Sequence, residues 1–102
     1  MGLNIVLEDE KGTQIGGVGD PTNILHRILP SSDDVSSRTL RYVDWYGDTV
    51  FNRVQMDDVI EELQVLLSKA QSHDERELLG QILELARKCK NEPHLYLKFY
   101  GD

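Results

Sequence analysis

The chain has 102 residues, 39% of them hydrophobic and 28% charged, with 11 Lys and Arg against 18 Asp and Glu for a net charge of −7. This length suits a single domain over residues 1–102, and apolar residues that cluster periodically exclude a disordered acidic tail. The acidic balance lacks the concentrated positive footprint that phosphate-backbone contacts need, so nucleic acid is not an expected partner and a basic protein is.

No run approaches the roughly 18 consecutive apolar residues of a membrane-spanning helix. Met1-Gly2-Leu3-Asn4 lacks the basic-then-apolar layout of a secretory signal, and Val6 stands where a myristoylation motif wants Ser or Thr. Cys89 is the single cysteine, which excludes an internal disulfide framework and a four-cysteine zinc site. These features predict a cytoplasmic protein with no membrane partner.

In chain order, Leu3-Asn4-Ile5-Val6-Leu7 predicts a strand that turns through Glu8-Asp9-Glu10-Lys11-Gly12 and returns at Thr13-Gln14-Ile15, an N-terminal hairpin. Gly16, Gly17 and Gly19 read as a flexible turn. Asp20-Pro21-Thr22-Asn23 then supplies a turn and a helix cap for a short helix over residues 24–29 that Pro30 ends. Residues 31–37 read as an exposed polar loop.

Residues 38–46 alternate, with Leu40, Tyr42, Asp44 and Tyr46 on one side and Arg41, Val43 and Trp45 on the other, which predicts a strand. Gly47-Asp48 and Thr49-Val50-Phe51 extend this to a second hairpin. From Met56 the period becomes helical, with a stripe of Met56, Val59, Ile60, Leu63, Leu66, Leu67 and Ala70 and a capping box at Asp58 and Glu61. Glu61 and Glu62 read as ordinary surface.

A second box at Ser72 and Glu75 opens another helix, striped by Leu78, Leu79, Ile82, Leu85, Ala86 and Cys89, with Arg87, Lys88 and Lys90 complementing the dipole at its end. Asn91-Glu92-Pro93 stops it. Residues 94–100 alternate again, with Leu95, Leu97 and Phe99 toward the helices, and predict a final strand. The expected fold class is α+β: an antiparallel or mixed sheet of about four to five strands with a long two-helix hairpin packed on one face.

Chemistry-bearing motifs are sparse. The glycine cluster lacks both the Gly-Lys-Ser/Thr ending of a P-loop and the spacing of a dinucleotide fingerprint, and no serine sits in a nucleophile elbow. His26, His73 and His94 stand apart with no zinc-ligand spacing, Cys89 continues an apolar stripe, and the acids do not follow a calcium-loop pattern. Catalytic residues, metal ligands and cofactors are therefore expected to be none; an enzyme built on His26, His94 and scattered acids is the least favoured reading. The densest signal is Tyr42-Val43-Asp44-Trp45-Tyr46-Gly47-Asp48, where aromatic rings that carry interface energy stand beside acids that pair with Arg or Lys. Tyr42, Asp44, Trp45, Tyr46 and Asp48 are the candidate partner-binding residues, the competing reading being that the rings fill the core.

The stretch Tyr42-Val43-Asp44-Trp45-Tyr46-Gly47-Asp48-Thr49-Val50-Phe51-Asn52-Arg53-Val54-Gln55, with the closing Leu95-Tyr96-Leu97-Lys98-Phe99-Tyr100-Gly101-Asp102, resembles a group of small bacterial proteins of uncharacterised or immunity-like type. Those are acidic one-domain α+β chains, some linked to polymorphic or contact-dependent toxins that they neutralise by direct binding. The resemblance covers the second half of the chain and carries over no catalytic residue and no toxin contact. It implies an immunity protein that neutralises a cognate bacterial toxin, and the acidic surface with its aromatic anchors separately suits a basic toxin domain. The alternative is a housekeeping interaction module or a homodimer that pairs through an edge strand at residues 95–100 or through an exposed aromatic face.

Overall fold

The N-terminal hairpin forms around a side chain that organises its own turn. Asp9 accepts from the backbone N–H groups of Lys11 and Thr13, both at 2.9 Å, while Gly12 takes the positive φ of 82° that the reversal needs. The computed structural model describes residues 2–101; Met1, and Asp102 at the end of the closing motif, lie outside them. Strand β1 is Asn4–Asp9 and β2 is Gln14–Gly19.

The glycine cluster is thus strand and not the flexible turn its composition predicts. β1 supplies the hydrogen-bonding partner, and Leu85 packs so closely over Gly16 that a Cβ there would stand 3.1 Å from its Cδ2. Within the predicted capping stretch, Asp20 is the residue that caps helix α1, Leu25–Ile28: its buried carboxylate accepts from Ile24 N and Leu25 N, each at 2.8 Å. Asn23 instead takes a positive φ of 59° that bends the chain toward the helix.

Residues 38–46 do not form a strand, and the second hairpin does not exist. A short 3-10 helix, Leu40–Tyr42, stands there, followed by a turn into strand β3, Asp48–Asn52. β3 pairs with the C-terminal strand β4, Leu95–Tyr100, and the sheet runs β2-β1-β4-β3 with every pairing antiparallel. The architecture is α+β, with four strands among the described residues. β4 lies inside the sheet, hydrogen-bonded on both sides, so it offers no edge for self-pairing; the outer strands are β2 and β3.

Helix α2, Met56–Ser68, follows a 3-10 turn at Arg53–Gln55. Its N-terminal cap lies earlier than the predicted Asp58 box. Asn52 Oδ1 accepts from Gln55 N at 3.2 Å and Gln55 Oε1 accepts from Asn52 N at 2.9 Å, while Asp58 sits inside the helix and pairs with Arg38 at 3.0 Å. Helix α3, His73–Asn91, begins where its box predicts, with Ser72 Oγ accepting from Glu75 N at 3.1 Å. The reciprocal Glu75 carboxylate accepts from Gln71 N, one residue before the cap.

α3 lies against β1, β2 and β4, and α2 packs on α3. This double contact explains why Leu83, outside the predicted stripe, is buried along with Leu78, Leu79, Ile82, Ala86 and Cys89. The core fills the space between helices and sheet with Ile5, Leu7, Phe51, Leu97 and Phe99, the last ring meeting Phe51 edge to face at 5.8 Å. No helix among the described residues is long and apolar enough to cross a membrane.

Candidate functional site

The alternation of residues 38–46 fails as a strand because another acceptor captures the backbone at its start, residues 38–40. Glu62, in the middle of α2, reaches across and accepts from Ser37 Oγ, Arg38 N at 3.1 Å, Thr39 N at 2.9 Å, Thr39 Oγ1 at 2.6 Å and Leu40 N at 3.2 Å. A single carboxylate therefore satisfies the N–H groups that open the 3-10 helix, the work usually done by a local cap. Ser37 passes the organisation on, its hydroxyl accepting from Arg41 N at 3.0 Å. Glu62 is no ordinary surface acid, and Ser37 and Thr39 are buried beside it.

Leu40 and Val43 turn into the core from this segment, and Tyr42 turns out, 59% exposed, with the Arg41 guanidinium 4.7 Å above its ring. The chain then reverses in a side-chain-built turn: Asp44 Oδ1 accepts from Tyr46 N at 2.9 Å, and Thr49 Oγ1 accepts from Asp44 N at 2.8 Å. Tyr46 at the tip is 85% exposed. Asp44 and Asp48 are exposed as well, and among the described residues neither joins an ion pair.

Trp45 behaves differently from its neighbours. It is half-buried, packs against the core and meets the His26 ring edge-on at 5.2 Å. Below it, Gly101 N donates to Gly47 O at 2.8 Å, and a Cβ on Gly101 would sit 2.4 Å from Trp45 O. The loop is therefore held from two directions, by α2 through Glu62 and by the end of β4 through Gly101. Of the five candidate residues, Tyr42, Asp44, Tyr46 and Asp48 present themselves to solvent, and Trp45 is the anchor beneath them.

The sheet face away from the helices carries a second polar group of residues. Glu8 of β1 accepts from Tyr100 Oη at 2.6 Å and pairs with Lys98 Nζ at 2.7 Å, both from β4. The hydrogen bond from Lys98, aided by that from Tyr100, holds the Glu8 carboxyl below the usual glutamate range. The same contacts with Glu8 raise Lys98 and Tyr100 above their ordinary values. The three groups are thus tied to one another across β1 and β4.

The remaining titratable candidates stay apart. His94 lies in a left-handed conformation at the entry to β4, 3.4 Å from Glu10, and His73 pairs with Glu77 one helical turn away at 3.1 Å. Cys89 is fully buried and its thiol donates to Leu95 O at 3.4 Å; burial pushes it up, away from thiolate reactivity. Among the described residues no three His, Cys, Asp or Glu side chains gather as metal ligands would.

Glu62 and Gly101 are the site-forming residues that sequence reasoning passes over. Glu62 has no local signal, since its partners lie 22 to 25 residues away. Comparison with protein-family models, with curated proteins and with solved structures finds no match for this chain.

Proposed function

We propose that this chain is a non-catalytic protein-binding module of the cytoplasm, of the immunity type, which neutralises a bacterial toxin domain by direct binding. The contact is made by Tyr42, Asp44, Tyr46 and Asp48, seated on Trp45, against a basic surface of the partner. The observation that carries this reading is the exposure of two tyrosines among unpaired acids on a loop that is braced from below. Exposed aromatics on a rigid support lose little conformational entropy on binding, and the acids accelerate encounter with a positive partner.

A basic nuclease-like active site is the partner chemistry this surface complements best, given the chain's net charge of −7. The test is coexpression with basic nuclease-type toxin domains, read as growth of the host cell. Wild-type chain is expected to restore growth, and a folded Tyr46→Ala, Asp48→Lys variant to fail. Growth that is restored equally by both removes the loop from the mechanism.

A further inference from the structure

β3 ends the sheet on the side of this loop, and the register tells which way its backbone groups point. In an antiparallel ladder, residues alternate between those bonded to the neighbouring strand and those turned away from it. The Gly101 N to Gly47 O bond places residues 47 and 101 in the bonded class. Thr49 and Phe51, each two further along, therefore bond β4, while Asp48, Val50 and Asn52 turn their N–H and C=O outward. Asn52 agrees, since its N–H is taken by Gln55 Oε1. The N–H and C=O groups of Asp48 and Val50 have no partner among the described residues, and the Val50 side chain is 49% exposed.

The two outer strands are protected differently. β2 is interrupted opposite Leu7 and Glu8, where Ile15 is an extra residue without a partner in β1, the irregularity that blunts an edge. β3 has no bulge in its register with β4, no proline and no lysine; its one charge is Asp48. An acid at this position repels a second copy of a chain carrying a net charge of −7 and attracts a cationic strand.

We infer that β3 is a docking edge for an extended, basic segment of a partner protein, which adds a fifth strand beside Asp48 and Val50 and is steered there by Asp44 and Asp48. The segment's main chain bonds the outward groups of Asp48 and Val50, and its alternate side chains lie beside Asp48 and Val50 on the sheet face away from the helices. A cation opposite Asp48 and an apolar residue near Val50 are the pattern this edge selects. The basic character of the occupant rests on the same acidic loop that supports the proposed function.

The probe is a capped nonapeptide alternating lysine and valine, with a glutamate–valine peptide of the same length as its counterpart, followed by amide hydrogen exchange and NMR shifts on the whole chain. At roughly millimolar peptide, the Asp48 and Val50 amides are expected to exchange on the order of tenfold more slowly. The acidic peptide gives no such protection, and Asp48→Lys weakens it. Val50→Pro removes it while leaving circular dichroism unchanged, because the lost N–H faces away from β4.

No protection from the basic peptide, equal protection from both peptides, or protection on β2 instead overturns the inference. So does concentration-dependent protection without peptide, which would make a second copy the occupant. The peptide offers no surface for Tyr42 and Tyr46, so its failure leaves the loop reading standing, and that reading fails separately in the coexpression assay.

Discussion

Glu62 Oε2 accepts both the N–H and the hydroxyl of Thr39, at 2.9 and 2.6 Å, and joins the middle of α2 to a loop 23 residues earlier in the chain. Its other oxygen holds Ser37 and Leu40, so this one side chain decides whether residues 37–42 have a defined path. Tyr42 inherits its outward direction from that path.

Removing the clamp should therefore act on both stability and local order. Glu62→Ala leaves several part-buried N–H and hydroxyl groups without an acceptor and is expected to cost about 2–4 kcal/mol, since bonds to a charged acceptor are worth about 1.5–3 each and their effects do not add. Urea denaturation measures the loss, and amide exchange should accelerate at residues 38–40. A change within about 0.5 kcal/mol would reduce Glu62 to the surface acid it resembles in sequence.

Trp45 and Tyr46 are neighbours with opposite expected phenotypes. Trp45→Ala removes a half-buried ring from the core margin and from His26, and should destabilise by about 2–3 kcal/mol, below the 3–5 of a fully buried aromatic. Tyr46→Ala, at an 85% exposed position, should leave stability within about 0.5 kcal/mol and weaken partner binding alone. Thermal unfolding of the two variants side by side separates anchor from contact.

The Glu8, Lys98 and Tyr100 triad gives a pH dependence whose sign follows from its chemistry. Glu8 is held below the glutamate range in the folded chain, so its contribution is fully present above the unfolded value of about 4.3 and is lost as pH falls through the lower folded value. The raised Lys98 records the same ion pair from the other side: that contribution is present below the ordinary lysine range and is lost as pH rises through the folded value. Glu8→Gln should lower stability by about 1–2 kcal/mol at neutral pH and flatten the acid limb of the stability curve below the ordinary glutamate range, as followed by urea midpoints.

Two glycines should respond in opposite directions to the same change. Gly101→Ala would push a Cβ to 2.4 Å from Trp45 O and is expected to loosen the loop from the end of β4, lowering the melting temperature. Gly80 lies inside α3, where a Cβ meets nothing within 4 Å, so Gly80→Ala should stabilise by about 0.5–1 kcal/mol. Melting temperatures of the two variants check both signs.

What the sequence discloses here depends on how far each signal reaches. α3 is legible from end to end because its cap, its apolar stripe and its stop at Asn91 are all local. β4 is legible by its alternation, although alternation does not tell that β1 and β3 flank it and make it an inner strand. Residues 38–46 mislead for the same reason: their period of two is real, but Glu62 takes the N–H groups of residues 38–40, and local turns take those that follow. The glycines of β2 look like a turn until Leu85 is placed over Gly16. Within the candidate site, the residue types at positions 42–48 do not tell which side chains face solvent, and only the tertiary contacts at His26, Glu62 and Gly101 sort Trp45 from the residues above it.

The proposed binding role of the Tyr42 to Asp48 loop is tested most directly by a tagged pull-down from the native lysate with wild-type chain and the Tyr46→Ala, Asp48→Lys variant. Each is run at low and at high salt, with bound proteins identified by mass spectrometry. A stoichiometric basic partner that wild type retains at low salt, releases at high salt and loses in the folded variant is the predicted result. A partner held equally by both chains and indifferent to salt, or recovery of the bait alone, would contradict it.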